Sequence, residues 1–202
     1  TMLISGLATL PEKLGISGLH VTFCSEEESE AFAERGFLPR IGMQYHWKNR
    51  DYQSFDDFLG ALSSRKRKNL RKERKQVLDA GYSFEALSGD DLKADHWDRF
   101  YHFYRDTSDR KWGEAYLTRE FFEILHERLR DRVVLVAARR DGEMVAGALN
   151  LIGQDTLYGR NWGTMDRTPM LHFETCYYQA IDIAIERGLR TVEAGAQGEH
   201  KI

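Results

Sequence analysis

The stretch Val133-Val134-Leu135-Val136-Ala137-Ala138-Arg139-Arg140-Asp141-Gly142-Glu143-Met144-Val145-Ala146-Gly147-Ala148-Leu149-Asn150-Leu151-Ile152 holds two apolar runs around a single polar turn. Arg140-Asp141-Gly142 is a hairpin signal, so Val133–Arg139 and Glu143–Ile152 read as antiparallel strands. Thr156–Trp162 follows as a third strand, which makes a three-strand meander. Working outward, Asp95–Arg105 and Thr118–Arg130 carry helical periodicity before the meander, with a loop at Asp106–Tyr116 between them. After the meander, Thr168-Pro169 supplies a cap followed by a first-turn proline, predicting a helix from Thr168 to Gly188. Tyr82–Leu87 and Arg190–Ala194 read as flanking strands. This order predicts an α/β (α+β) protein with a mixed, mostly antiparallel sheet and flanking helices.

Toward the N-terminus, residues 3–14 read as helix and Gly18–Cys24 alternates as a strand. Ser25 caps an acidic helix closed by Gly36, and Phe37–Trp47 reads as another strand. Ser54 opens a long helix. Phe55, Phe58, Leu59 and Leu62 recur at helical spacing, Leu70 alone is apolar between Ser63 and Gln76, and Val77 and Leu78 resume the pattern before Gly81. At 1.5 Å per residue this helix would be about 40 Å long, with a polar middle suited to bridging two bodies. Three parts follow: residues 1–50 as the C-terminal half of a first domain, 51–81 as a basic connector helix, and 82–202 as a second domain. That last sheet is still growing where the chain stops, so the second domain is expected to be truncated at its C-terminus.

The chain has 202 residues, 42% of them hydrophobic and 30% charged, and a net charge of −3. Apolar content of that order excludes wholesale disorder. No stretch approaches the ~18 apolar residues of a membrane helix, and Thr1–Leu10 lacks the basic start of a signal peptide. With only Cys24 and Cys176, no disulfide framework is available, and a cytoplasmic setting is expected. The small net charge hides an asymmetry. Eight of the 29 basic residues (Arg65, Lys66, Arg67, Lys68, Arg71, Lys72, Arg74 and Lys75) lie in an eleven-residue run whose one acid is Glu73. The run carries +7 and the rest of the chain −10.

Three strings carry a family resemblance: Tyr158-Gly159-Arg160-Asn161-Trp162-Gly163, Leu171-His172-Phe173-Glu174-Thr175-Cys176-Tyr177-Tyr178-Gln179, and Gly195-Ala196-Gln197-Gly198-Glu199-His200-Lys201. With Phe58-Leu59, Arg65–Lys72 and Phe100–Arg110, they resemble the Fem-type peptidoglycan bridge-forming transferases over roughly residues 20–201. The nearest likeness is to bacterial predicted N-acyltransferases labelled peptidoglycan biosynthesis/recognition proteins. The order of elements is similar to the acyl-CoA N-acyltransferase (GNAT) fold. The resemblance implies a fragment of a tandem double domain that moves an acyl or aminoacyl group from a thioester or aminoacyl-tRNA to an amine, with a cell-wall precursor as acceptor.

Acyl transfer to an amine needs a held donor, a base for the amine proton and an acid for the leaving group. In such a fold the donor lies between splayed strands, here Thr156–Trp162 and Arg190–Ala194. Along the first, Tyr158, Arg160 and Trp162 alternate onto one face, with Tyr158 as general acid and Arg160 and Trp162 as donor grips. Gly163, Thr164, Arg167 and Thr168 lead into a helix start, an anion site for acyl-CoA phosphates, although the usual paired glycines are missing and Asp166 repels phosphate. Glu193 and His200 are the candidate bases. Arg110, Tyr116, Glu174, Tyr178 and Gln197 are candidates for the acceptor. No metal is expected, because His172, Glu174 and Cys176 stand two apart on a helix and diverge by about 200°.

Arg65–Lys68 are consecutive and spread around a helix, which suits either a solvated connector or contact with tRNA. The rival to an enzyme is therefore a non-catalytic anion- or RNA-binding module that keeps the fold.

Overall fold

The computed structural model describes residues 2–111 and 113–194. The chain divides into two compact units, residues 1–43 and 44–202. The first contains α1 (Met2–Leu14) and α2 (Glu26–Ala33), neither of which buries a residue. Ser25 and Glu28 close a reciprocal capping box at the start of α2, as the Ser-x-x-Glu spacing dictates. The expected strand at Gly18–Cys24 does not form, and Phe37–Trp47 contributes only its end. Alternation makes those segments strand-compatible, but a strand persists only with a partner edge.

The second unit contains β1 (His46–Lys48), α3 (Phe55–Gly60), α4 (Ser64–Asp79), β2 (Tyr82–Leu87), α5 (Ala94–Lys111), α6 (Arg119–Leu129), β3 (Val133–Arg140), β4 (Glu143–Ile152) and β5 (Thr156–Thr164). A helix follows, built of α7 (Leu171–Phe173), a π-helical segment (Glu174–Tyr178) and α8 (Gln179–Glu186), and then β6 (Thr191–Glu193). The six strands form one sheet in the order β1-β6-β5-β4-β3-β2. Every neighbouring pair is antiparallel except β5 and β6. The mixed, mostly antiparallel α/β architecture is thus the one the meander predicts.

Both faces of the sheet are covered, which is why β3 reads as a continuous apolar run. Val133, Leu135 and Ala137 pack under α5 and α6 with Trp97, Phe100, Phe103 and Phe122. Val134 and Val136 face α8, with Ala180, Ile183 and Ala184. Each fully buried side chain of this size stabilises by roughly 1.5–3 kcal/mol.

Three boundaries differ from the sequence reading. The 54–80 helix is broken: α3 ends at Gly60, and Ser63 caps a new helix by accepting from the Lys66 N–H at 3.4 Å. The connector is accordingly two helices, both inside the second unit. The α5 helix runs through Lys111 and absorbs most of the expected loop. Finally, the last long helix begins at Leu171 rather than Thr168, after Met170 takes a left-handed φ of 65°.

Candidate functional site

The site is organised by one irregularity in β5. Leu149 pairs with Asn161 and Asn150 with Gly159, so Arg160 is an extra, unpaired residue. The bulge reverses the alternation beyond it. Leu157 and Trp162 both pack on the α8 face, although five residues separate them. Tyr158, one residue from Leu157, points to the opposite face. Tyr158 and Trp162 are therefore on opposite sides of the sheet, correcting the shared face expected from an unbroken strand. Buried Asn150, paired with Gly159 beside the bulge, donates from Nδ2 to the carbonyls of Val134 (3.3 Å) and Ala148 (3.1 Å).

β5 and β6 run parallel for three residues only, Thr156–Tyr158 against Thr191–Glu193. β5 then continues to Thr164 along β4. At the end of this pairing a Cβ on Gly159 would stand 3.2 Å from the Glu193 carbonyl oxygen. Glu193 is the last residue of β6, with Tyr158 beside it on β5 and exposed Arg160 on the bulge, a junction we term the fork. Tyr158 is 39% exposed.

The other end of β5 is closed. A Cβ on Gly163 would lie 2.4 Å from the Phe103 carbonyl carbon, so Gly163 is the seat of α5. Gly163, expected in the donor-binding set, has this packing role in the fold. The hydroxyls of Thr164 and Thr168 are taken up locally. Thr164 Oγ1 donates to the Asp166 carbonyl (2.9 Å) and accepts from the Asp166 N–H, and Thr168 Oγ1 donates to the Asp166 carboxylate at 3.1 Å. Arg140 completes the cluster, 2.9 Å from Asp166 Oδ2 and donating to the Tyr82 hydroxyl at 3.0 Å. Burial alone would raise the Asp166 pKa, but the bonds from Tyr82 and Thr168 and the Arg140 charge hold it below its ordinary value. Thus Asp166 satisfies the loop itself, and Arg167 stays exposed beside it.

The acceptor candidates are dispersed. Arg110 is in the last turn of α5, paired with Asp106 at 2.6 Å and donating to the Thr164 carbonyl at 3.3 Å. Tyr116 is 77% exposed, edge-on to Tyr104. Glu174 and Tyr178 lie on the α8 side of the sheet, away from Tyr158 and Glu193. There, Arg74 of α4 binds Glu174 with two nitrogens (2.9 and 3.2 Å) and Asp182 at 2.7 Å, while lying 4.3 Å over the Phe55 ring. Gln179 donates to Glu174 at 2.8 Å, and the Tyr178 hydroxyl donates to Glu73. Burial lowers the Arg74 pKa, but Asp182 and Glu174 outweigh it and the net shift is upward. Tyr178 is pushed up by burial and by Glu73. This network docks α4 on the π-helical segment, and Glu174, 1% exposed, is held by it. Gln197 and His200 lie outside the described residues.

Along the basic run, Arg71 pairs with Asp56 (2.8 Å), Lys75 with Asp79 (2.8 Å), and Arg74 joins the network above. Arg65, Lys66, Arg67, Lys68 and Lys72 make no ion pair among the described residues. Four of these five occupy the first turns of α4, where a helix dipole disfavours positive charge. No helix among the described residues is long and apolar enough to cross a membrane.

Sequence reasoning missed His46, which β1 places against Glu193 in register. No local motif marks it, because the two are brought together by a strand pairing across 147 positions.

Several solved structures share the fold. FemX matches with a TM-score of 0.60 at 13% identity, over 79% of this chain and 55% of its own. L-PGS from Bacillus licheniformis matches with a TM-score of 0.59 at 12% identity, over 86% and 51%. The C-terminal domain of a putative lysylphosphatidylglycerol synthetase from Agrobacterium fabrum matches with a TM-score of 0.54 at 12% identity, over 77% and 46%. The chain thus spans about half the length of these structures. A search of curated proteins finds no match. The profile of the FemAB-like family, described as peptidoglycan biosynthesis/recognition, matches residues 1–202, and the chain belongs to that family.

Proposed function

We propose that this chain carries the transfer site of an N-acyltransferase that passes an acyl or aminoacyl group to an amine, with a peptidoglycan precursor as acceptor. The observation that carries the reading is the fork. Two parallel strands pair up to a carboxylate, next to a bulge, so a donor chain laid at this end of the pairing would have Glu193 and Tyr158 at its reacting end. In this reading Glu193 serves the acceptor amine, Tyr158 protonates the leaving group, and Arg160 and Trp162 hold the donor from the two sides of the sheet. His200 and Gln197, which follow β6 in sequence, are proposed as further members of the site. Membership of the FemAB-like family supports a cell-wall acceptor, and the resemblance to the Fem-type transferases supports an aminoacyl donor. An aminoacyl-tRNA is favoured over acyl-CoA because the Thr164–Thr168 loop already holds a carboxylate where a phosphate would sit. We place the reaction in the cytoplasm, where charged tRNA is made.

The five unpaired basic residues of α4 support the tRNA contact. Retention of tRNA on the full-length protein is expected to fall with salt, with a log–log slope of about −4. Lys66→Glu with Lys68→Glu should flatten that slope by about 2. The function itself is tested by incubating the protein with aminoacyl-tRNA or acyl-CoA and a muropeptide precursor. Mass spectrometry should find the acceptor heavier by one acyl group. Salt-dependent tRNA binding without any transfer would favour the non-catalytic binding module instead.

A further inference from the structure

Three titratable side chains stand in a row across β1, β6 and β5. β1 places His46 opposite Glu193, and β5 places Tyr158 beside Glu193. Their neighbours Trp47, Val192 and Leu157 all turn into the core on the α8 side. His46, Glu193 and Tyr158 therefore share the other face.

The β1–β6 ladder fixes how close the first two come. The Asn49 N–H donates to the Arg190 carbonyl at 2.9 Å, and the Ala194 N–H to the Tyr45 carbonyl at 3.0 Å. These mark Asn49/Arg190 and Tyr45/Ala194 as hydrogen-bonded pairs. Such pairs alternate with non-bonded ones, so Lys48/Thr191 and His46/Glu193 belong to the class whose side chains stand closest. Lys48 shows the consequence by donating from Nζ to Thr191 Oγ1 at 3.0 Å. The His46 ring is also oriented: Nε2 lies 3.2 Å from Gln44 Oε1. An amide oxygen only accepts, so a hydrogen bond in this contact needs the proton on Nε2 and leaves the lone pair of the neutral ring on Nδ1.

We propose that His46 is the proton acceptor of this site, with Gln44 holding its ring and Glu193 facing the imidazolium that forms. The assignment rests on the reading of the fork as an amine acyl-transfer site. Nδ1 takes one proton from the acceptor ammonium, leaving a neutral amine. The amine nitrogen forms a C–N bond at the donor carbonyl, and the C–O or C–S bond to the carrier breaks. The second N–H proton passes to the departing oxygen or sulfur, with the Tyr158 hydroxyl as relay. The positive charge of the ammonium thus ends on the imidazolium, beside the Glu193 carboxylate. The other titratable or charged groups on the adjoining strands are Lys48 on β1 and Tyr158 and Arg160 on β5.

Two measurements on the full-length protein test this. The first needs no turnover: nitrogen-edited NMR of the histidine rings in wild type and Gln44→Ala. His46 should be mainly the Nε2–H tautomer in wild type and a mixture in the variant. An even mixture in wild type overturns the proposal. The second is transfer from aminoacyl-tRNA or acyl-CoA. His46→Asn should lose about 100-fold or more of the rate, and added imidazole should restore part of the rate of His46→Gly, with circular dichroism unchanged. Full activity in His46→Asn, or a folded His46→Gly protein that imidazole does not rescue, overturns the base assignment alone. A wild-type protein that transfers from neither donor overturns the transferase reading, and the base assignment with it.

Discussion

The two ends of β5 are chemically opposite. At Gly163 the strand is so closely covered that the α5 backbone occupies the space of a side chain. At Tyr158–Arg160 the same strand is bulged and its Tyr158 and Arg160 side chains are exposed. The sealed end fixes the position of α5 and the following loop; the open end presents polar side chains. The difference teaches where to look for chemistry: glycine conserves the fold at one end and the shape of a fork at the other.

Four substitutions probe this contrast, in descending order of expected effect. Gly163→Val forces α5 off the sheet and should destabilise by about 3 kcal/mol or more, read from denaturant unfolding. A stable Gly163→Val protein would mean that α5 is not seated there. Glu193→Gln should leave stability within about 0.5 kcal/mol and slow transfer at least 100-fold, equivalent to a barrier increase of about 2.7 kcal/mol.

Asp166→Asn removes the charge beside Arg140 in the sealed loop. Arg140 is 41% exposed, which screens the pair, so the expected loss is only about 1–2 kcal/mol. The pH dependence has a definite sign. The folded-state pKa of Asp166 is below its ordinary value of 3.8. Its contribution is therefore complete above about pH 4 and is lost as pH falls through the folded value. Acid unfolding of Asp166→Asn should lack this component, and identical acid limbs would break the assignment. The smallest effect on folding is expected for Tyr158→Phe at the open end, within about 0.5 kcal/mol, with transfer slowed roughly tenfold.

Much of the sheet is legible in sequence because it is local. The Arg140-Asp141-Gly142 turn, the apolar run of β3 and the helices on both sides all declare themselves within a few residues. Glu193 and Tyr158 are legible as polar residues at strand ends. What escapes is set by contacts between distant segments. The bulge at Arg160 is a register shift against β4, and the place of His46 depends on β1 pairing with β6. The seat of α5 on Gly163 looks, in one dimension, like a glycine for a ligand. The network around Glu174 and Tyr178 depends on Arg74, which comes from a helix 100 positions earlier. The break at residues 61–63 did leave a signal, since Ser63 is a cap followed by a new helical run.

The proposed function assigns acyl transfer to the fork between β5 and β6. Its most direct test is the single-turnover rate of amide formation from aminoacyl-tRNA to a muropeptide amine, measured for wild type and Glu193→Gln at equal folded concentration. The account predicts product from wild type and a rate at least 100-fold lower from the variant. Equal rates for the two proteins would contradict it.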